Sequence, residues 1–141
     1  MKLGFIPACP PRRTLPQLCE WAAAEGYEAL EVAAWPDLGD RPFTATHLAV
    51  ESFGAAEADA TRALFAKHGL ELSSLAFYDN NLHPDPAERE AINAHLARCI
   101  EAAALVGCPT VGTCVGRHPG RSVAENLRDA EALFRPLVDR A

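Results

Sequence analysis

Four stretches of the chain, residues 2–8, 29–35, 72–78 and 110–115, alternate bulky apolar with small or polar residues and predict strands. Between and after them, residues 14–25, 55–68, 86–106 and 123–140 carry a helical pattern. Three of these helices have a start signal, since Thr14 with Gln17, Asp85 with Glu88, and Ser122 with Glu125 have capping-box spacing, and Pro86 takes a first-turn position that needs no donor. Gly26, Gly69 and Gly107 fall where left-handed caps are expected, a few residues before the next strand. One βα unit is thus repeated, in a single domain over residues 1–141. The long irregular stretch, 36–54, is a candidate lid.

Alternating strands and helices imply right-handed crossovers and a parallel sheet. An open doubly wound sheet is covered on both faces and is apolar on both, whereas a closed barrel packs helices only outside. Here Leu3, Phe5, Leu30, Val32, Leu75, Phe77, Val111 and Val115 form a bulky parity. Gly4, Glu31, Trp35, Ser74, Ala76, Tyr78, Gly112, Cys114 and Gly116 form a small or polar one. The contrast favours a barrel. Eight units in about 250 residues make a whole one, so the predicted class is α/β, a (βα)4 half of a TIM (β/α)8 barrel.

Composition narrows the partners. A net charge of -6 with both signs interspersed gives no basic stripe for nucleic acid. No apolar run reaches the roughly 18 residues of a membrane span, and Pro7, Pro10 and Pro11 break any signal-peptide layout. A cytoplasmic location is expected. The five cysteines lack CxxC spacing and are expected to be mostly buried thiols.

The polar run "YDNNLHPDP", residues 78–86, follows the third strand and stands out in so apolar a chain. A barrel opens its active mouth at the carboxyl ends of its strands. There Tyr78 can stack on or bond to a ligand, Asn80 and Asn81 offer donors and acceptors, and His83 can do either near neutral pH; turn and cap chemistry is the competing reading, above all for Asn81 and Asp85. Glu31, on the inward parity, is a candidate acid/base group or the partner of a buried cation. Trp35 is a candidate platform, and His47 a candidate contact from the long loop. After strand four, "TCVGRHPGRS" supplies Thr113 and Arg117, with Arg121 beside Gly120 as part of an anion pocket. His68 and His95 are expected on helix surfaces.

Residues 78–117, "YDNNLHPDPAEREAINAHLARCIEAAALVGCPTVGTCVGR", closely resemble the third and fourth units of sugar phosphate isomerase/epimerase proteins in the xylose-isomerase-like TIM-barrel superfamily; "KLGFIPA" and "GYEALEVAAW" fit the first two. The resemblance implies the amino-terminal half of such a barrel, binding a sugar or sugar phosphate. It also implies a divalent metal, Mn, Mg or Zn, in the complete barrel, with ligands on strands five to eight. Those ligands lie beyond Ala141, so none is expected within this chain, and activity of the chain alone is not expected. A homo-oligomer or a complementing half barrel is the expected partner, and a non-catalytic assembly module is the alternative. The "HPG" at 118–120 is similar to the zinc-binding HPG of endonuclease IV type enzymes, but Ser74 and Ala76 offer no second histidine.

Overall fold

The structure is a computed structural model that describes residues 1–37, 39 and 44–141. Strands β1 (Gly4–Phe5), β2 (Ala29–Ala33), β3 (Glu71–Phe77) and β4 (Val111–Thr113) alternate with helices α1 (Leu15–Ala24), α2 (Ala55–His68), α3 (Pro86–Val106) and α4 (Val123–Arg140). The strands are parallel and lie in chain order, β1-β2-β3-β4. With right-handed crossovers that order keeps every helix on one face, which is the geometry of a half TIM barrel and not of a doubly wound sheet.

The outward face carries the core. Leu30, Val32, Leu75 and Phe77 are fully enclosed with Cys19 and Ala22 of α1, Ala58 and Phe65 of α2, and Leu96, Cys99 and Ala102 of α3. Helix α4 buries no residue; only Phe134 and Leu137 pack partly against the core, while Val123, Leu127 and Val138 stay exposed. Cys19, Cys99 and Cys108 are buried thiols, whereas Cys9 and Cys114 are exposed. Burial pushes the Cys19 thiol to about 11 and the Cys99 thiol to about 12.

Local chemistry explains most boundaries. Thr14 and Ser122 close reciprocal capping boxes with Gln17 and Glu125, and Gly26, Gly69 and Gly107 turn left-handed after α1, α2 and α3. Helix α2, which has no Ser, Thr, Asp or Asn start signal, is held by Glu57 Oε2 accepting from the Gly54 N–H at 2.9 Å. The outer strands β1 and β4 are shorter than their sequence patterns predict, because each has a neighbour on one side only. Pro7 also removes a donor just past β1.

One irregularity sets the parity of the sheet. Leu30 pairs with Leu72, but the next pair is Glu31 with Ser74, so Ser73 is an extra residue in β3. Its hydroxyl donates to the Leu30 carbonyl at 3.1 Å. The bulge sends Leu72 outward with Leu30, yet Ser74, Ala76 and Tyr78 inward with Glu31. Without it the third strand would point Leu72 into the lumen.

Of the stretch 36–54, residues 38 and 40–43 lie outside the described residues, so the lid reading falls partly beyond them. The returning arm is pinned along β2: Thr46 bridges Ala34 antiparallel, and the His47 N–H donates to the Ala33 carbonyl at 3.0 Å. A 3-10 turn at Val50–Ser52 then brings Glu51 to His95. Contrary to the surface role expected of it, His95 is buried. Its Nε2 lies 2.7 Å from the Ala34 carbonyl and its Nδ1 2.7 Å from Glu51 Oε1. The signal was present in the sequence, since Ile92, His95, Leu96 and Cys99 form one helical stripe.

Asp85 caps α3 by accepting from the Ala87 N–H at 2.8 Å and the Glu88 N–H at 3.1 Å. These two bonds hold its carboxyl below the usual range, with His83 and Arg89 adding to the effect. A depressed folded-state pKa contributes stability that is complete above the unfolded value, about 4, and is lost as pH falls through the folded one. Asp85→Ala is therefore expected to lower the melting temperature at pH 7 and to differ progressively less from the parent below about pH 4. A gap that stays constant down to pH 2.5, or is absent at pH 7, would contradict the cap.

Candidate functional site

The inward residues converge at the carboxyl ends of β2, β3 and β4. Tyr78 does not stand on the rim; its ring folds down into the lumen, and its hydroxyl donates to Glu31 Oε1 across the sheet. This is possible because Gly112 leaves room beneath it. A Cβ at that position would overlap the Tyr78 hydroxyl and fall 2.8 Å from Glu31 Oε1. Burial, followed by the bond to Glu31 and its charge, pushes the phenol to about 12, so Tyr78 keeps its proton at neutral pH. Glu31 is half-buried, and Tyr78 is 38% exposed.

Trp35 covers one side of this pair, with ring centroids 6.0 Å from Tyr78 and 6.2 Å from Phe77. It is only 3% exposed, and its Nε1 has no hydrogen-bond partner. The indole thus faces the site mainly through packing against Tyr78. His47 lies beside the end of β2, where neither ring nitrogen meets a partner at hydrogen-bonding geometry. Burial pushes its pKa down, with the Pro10 carbonyl acting weakly in the other direction.

The remaining sequence-derived candidates spread beyond that centre. Asn80 is a staple between two loops: its Oδ1 accepts from the Leu82 N–H at 3.1 Å and the Arg117 N–H at 2.8 Å, and its Nδ2 donates to the Arg117 carbonyl at 2.9 Å. Arg117 is thereby held at the rim with its side chain exposed. Thr113 has outward parity and accepts from Asn81 Nδ2 at 2.9 Å. It lines a groove of about 300 Å³ with Leu96, Ile100, Phe134 and Leu137, on the helix side of the sheet. His83 sits in a different cleft of about 350 Å³ with Pro36, Phe77, Asp79, Glu88 and His95, and its Nδ1 accepts from the Asp85 N–H at 3.3 Å.

Arg121 is paired with Asp129 and lines a cleft of about 350 Å³ with Arg89 and His118. In the HPG turn, His118 Nδ1 accepts from the Gly120 N–H at 3.1 Å. Among the described residues no group of three or more His, Cys, Asp or Glu side chains is arranged to hold a metal ion. That does not fit the three or four protein ligands of a zinc-type site.

One residue at the site was not singled out for function in the sequence, and another, Asn81, stood there between ligand contact and turn chemistry. Gly112 gives no motif; its only signal is membership of the small inward parity. Asn81 is wholly buried and ties three elements together. Its Nδ2 also donates to the Cys114 carbonyl, and its own carbonyl accepts from Asn93 of α3 at 2.9 Å.

Known proteins can be set against this geometry. A family model described as xylose isomerase-like TIM barrel matches residues 19–141. No curated protein matches the chain. Among solved structures, D-psicose 3-epimerase, determined in the presence of D-fructose, is similar with a TM-score of 0.67 at 19% identity, over 100% of this chain and 48% of that one. A 3-keto-D-glucoside 4-epimerase from E. coli gives 0.66 at 18%, over 100% and 52%. Endonuclease IV from Thermus thermophilus gives 0.60 at 24%, over 99% and 48%. These identities show the fold alone, and the chain spans about half the length of each of these proteins. No helix among the described residues is long and apolar enough to cross a membrane.

Proposed function

The chain belongs to the xylose isomerase-like TIM barrel family, and we propose that it forms the substrate-binding wall of a sugar or sugar-phosphate isomerase or epimerase. The observation that carries this reading is the Tyr78–Glu31 pair, set inside the lumen at the strand ends, where a barrel of this kind does its chemistry. Two of the similar structures are epimerases, one of them determined in the presence of a ketose.

In this reading Glu31 moves or holds a proton at a sugar hydroxyl, and Tyr78 fixes the carboxylate by donating to it. Trp35 and His47 shape one side of the mouth, and Arg117 offers a cation at its rim for a phosphate. Asn80 acts through Arg117 by fixing its backbone. His83 and Thr113 lie to the side of the Glu31 centre and contribute through the loops they brace. A divalent cation in the complete barrel would polarise adjacent hydroxyl and carbonyl oxygens; the described residues do not make up such a site by themselves. Closing the barrel takes four further βα units, supplied by the same polypeptide, a second copy or another chain. The open β4 edge and the apolar groove between α3 and α4 favour such a complement.

The test is to assay ketose epimerisation and aldose–ketose isomerisation with this wall in an eight-unit barrel. Glu31→Gln is expected to lower kcat by about 10²-fold or more, the usual scale for a general acid or base. Tyr78→Phe is expected to lower it less, with folding intact in both variants. Unchanged turnover in Glu31→Gln would remove the reading.

A further inference from the structure

Which part of a sugar meets this wall follows from what the floor can and cannot donate. The Tyr78 hydroxyl commits its one proton to Glu31, leaving its oxygen lone pairs as acceptors. The Glu31 carboxylate accepts only. Beside them, Gly112 adds no side chain, and Cys114 is an exposed thiol, a weak donor at best. Ser74, opposite Glu31 in the register, is buried. Arg117 stands at the exposed rim beyond Gly116, not at the floor.

We propose that Gly112 and the Tyr78–Glu31 pair form a charge-selective subsite that accepts a neutral hydroxyl-bearing segment of the ligand and rejects an anionic one. The proposal rests on the sugar-binding reading above and narrows it. A ligand hydroxyl donates to Glu31 or to the Tyr78 oxygen and so satisfies the acceptors that the pair presents. A carboxylate or phosphate placed there has no proton to give and brings like charge against Glu31. Any phosphate on the substrate is therefore carried at the opposite end, toward Arg117. Gly112 determines this specificity by steric means, because any side chain there evicts the phenol and breaks the pair.

The experiment uses two six-carbon probes, sorbitol, which is neutral at both ends, and glucarate, which carries a carboxylate at both ends and so cannot present a neutral terminus to the floor by reversing. Their titration into the isotopically labelled chain is followed at the backbone amides of Gly112, Cys114 and Arg117. Sorbitol is expected to shift Gly112 and Cys114, with glucarate at least about tenfold weaker at the same amides, the scale of one hydrogen bond to a charged acceptor. Glu31→Gln, nearly isosteric, is expected to bring the two affinities to within about twofold of each other, and Gly112→Ala to abolish the sorbitol shifts at Cys114. Equal affinity of both probes for the parent chain, or a preference unaffected by Glu31→Gln, overturns the proposal. Sorbitol shifts confined to Arg117 overturn it while leaving sugar binding in place. Shifts by neither probe at any mouth residue remove the sugar-binding reading and the proposal together.

Discussion

Asn81→Asp is expected to destabilise the protein by about 3–5 kcal/mol at pH 7, through an uncompensated buried charge. The native amide is fully buried and donates to Thr113 Oγ1 and to the Cys114 carbonyl. A carboxylate of the same shape sets two acceptors against that carbonyl and must desolvate a charge. Its folded-state pKa is raised, so the unfolded chain ionises first, at about 3.9. The loss therefore grows as pH rises from there to the folded-state value, and it shrinks in acid, where the protonated group can donate as Nδ2 did. Urea unfolding of parent and variant between pH 4 and 8 checks the sign. A deficit that is flat with pH would place Asn81 in a wetter setting than the structure does.

Gly116→Ala is expected to cost about 4–5 kcal/mol, of which the left-handed backbone accounts for roughly 1–2. Gly116 has φ +71°, and a Cβ there would fall 2.7 Å from the Asn80 Cγ and 2.8 Å from its Cα. The methyl group expels the Asn80 amide, breaking its bonds to Leu82 and to both backbone groups of Arg117. Each such bond is worth about 1 kcal/mol net. Because strain and lost bonds share the Asn80 side chain, Asn80→Ala and Gly116→Ala should be strongly non-additive, the pair costing less than the sum. Strict additivity in denaturant unfolding would mean that the two loops do not touch.

The order and type of all eight elements were legible because each helix has a local start or stop signal and each strand a parity. Thr14, Asp85 and Ser122 are cases in which three or four neighbouring residues settle a boundary. The lengths of β1 and β4 were not legible, since they depend on having a partner strand and not on the residues of the strand itself. The bulge at Ser73 was only half legible: "LSSL" sets Leu72 and Leu75 on opposite parities, and it takes the register with β2 to show that one serine is extra. At the site, parity put Glu31, Tyr78 and Gly112 on one face. That the phenol would reach down to the carboxylate depends on the depth of free space, which no alternation encodes. Asn80 illustrates the converse: a side chain that reads as free to meet a ligand is engaged with Arg117, thirty-seven positions away.

Strand order that repeats chain order has a bearing on how the protein is made. Each strand pairs with the one synthesised just before it, so a nascent chain leaving the ribosome finds its docking edge already in place. No ring has to be closed around unmade segments, and the closure entropy is spread over steps of one βα unit each. The bulge acts at the second of these steps: as β3 settles against β2, Ser73 fixes which side of the growing sheet becomes lumen. A translational pause between units leaves a shorter sheet with a single fresh edge, and resumption extends it without unthreading what came before.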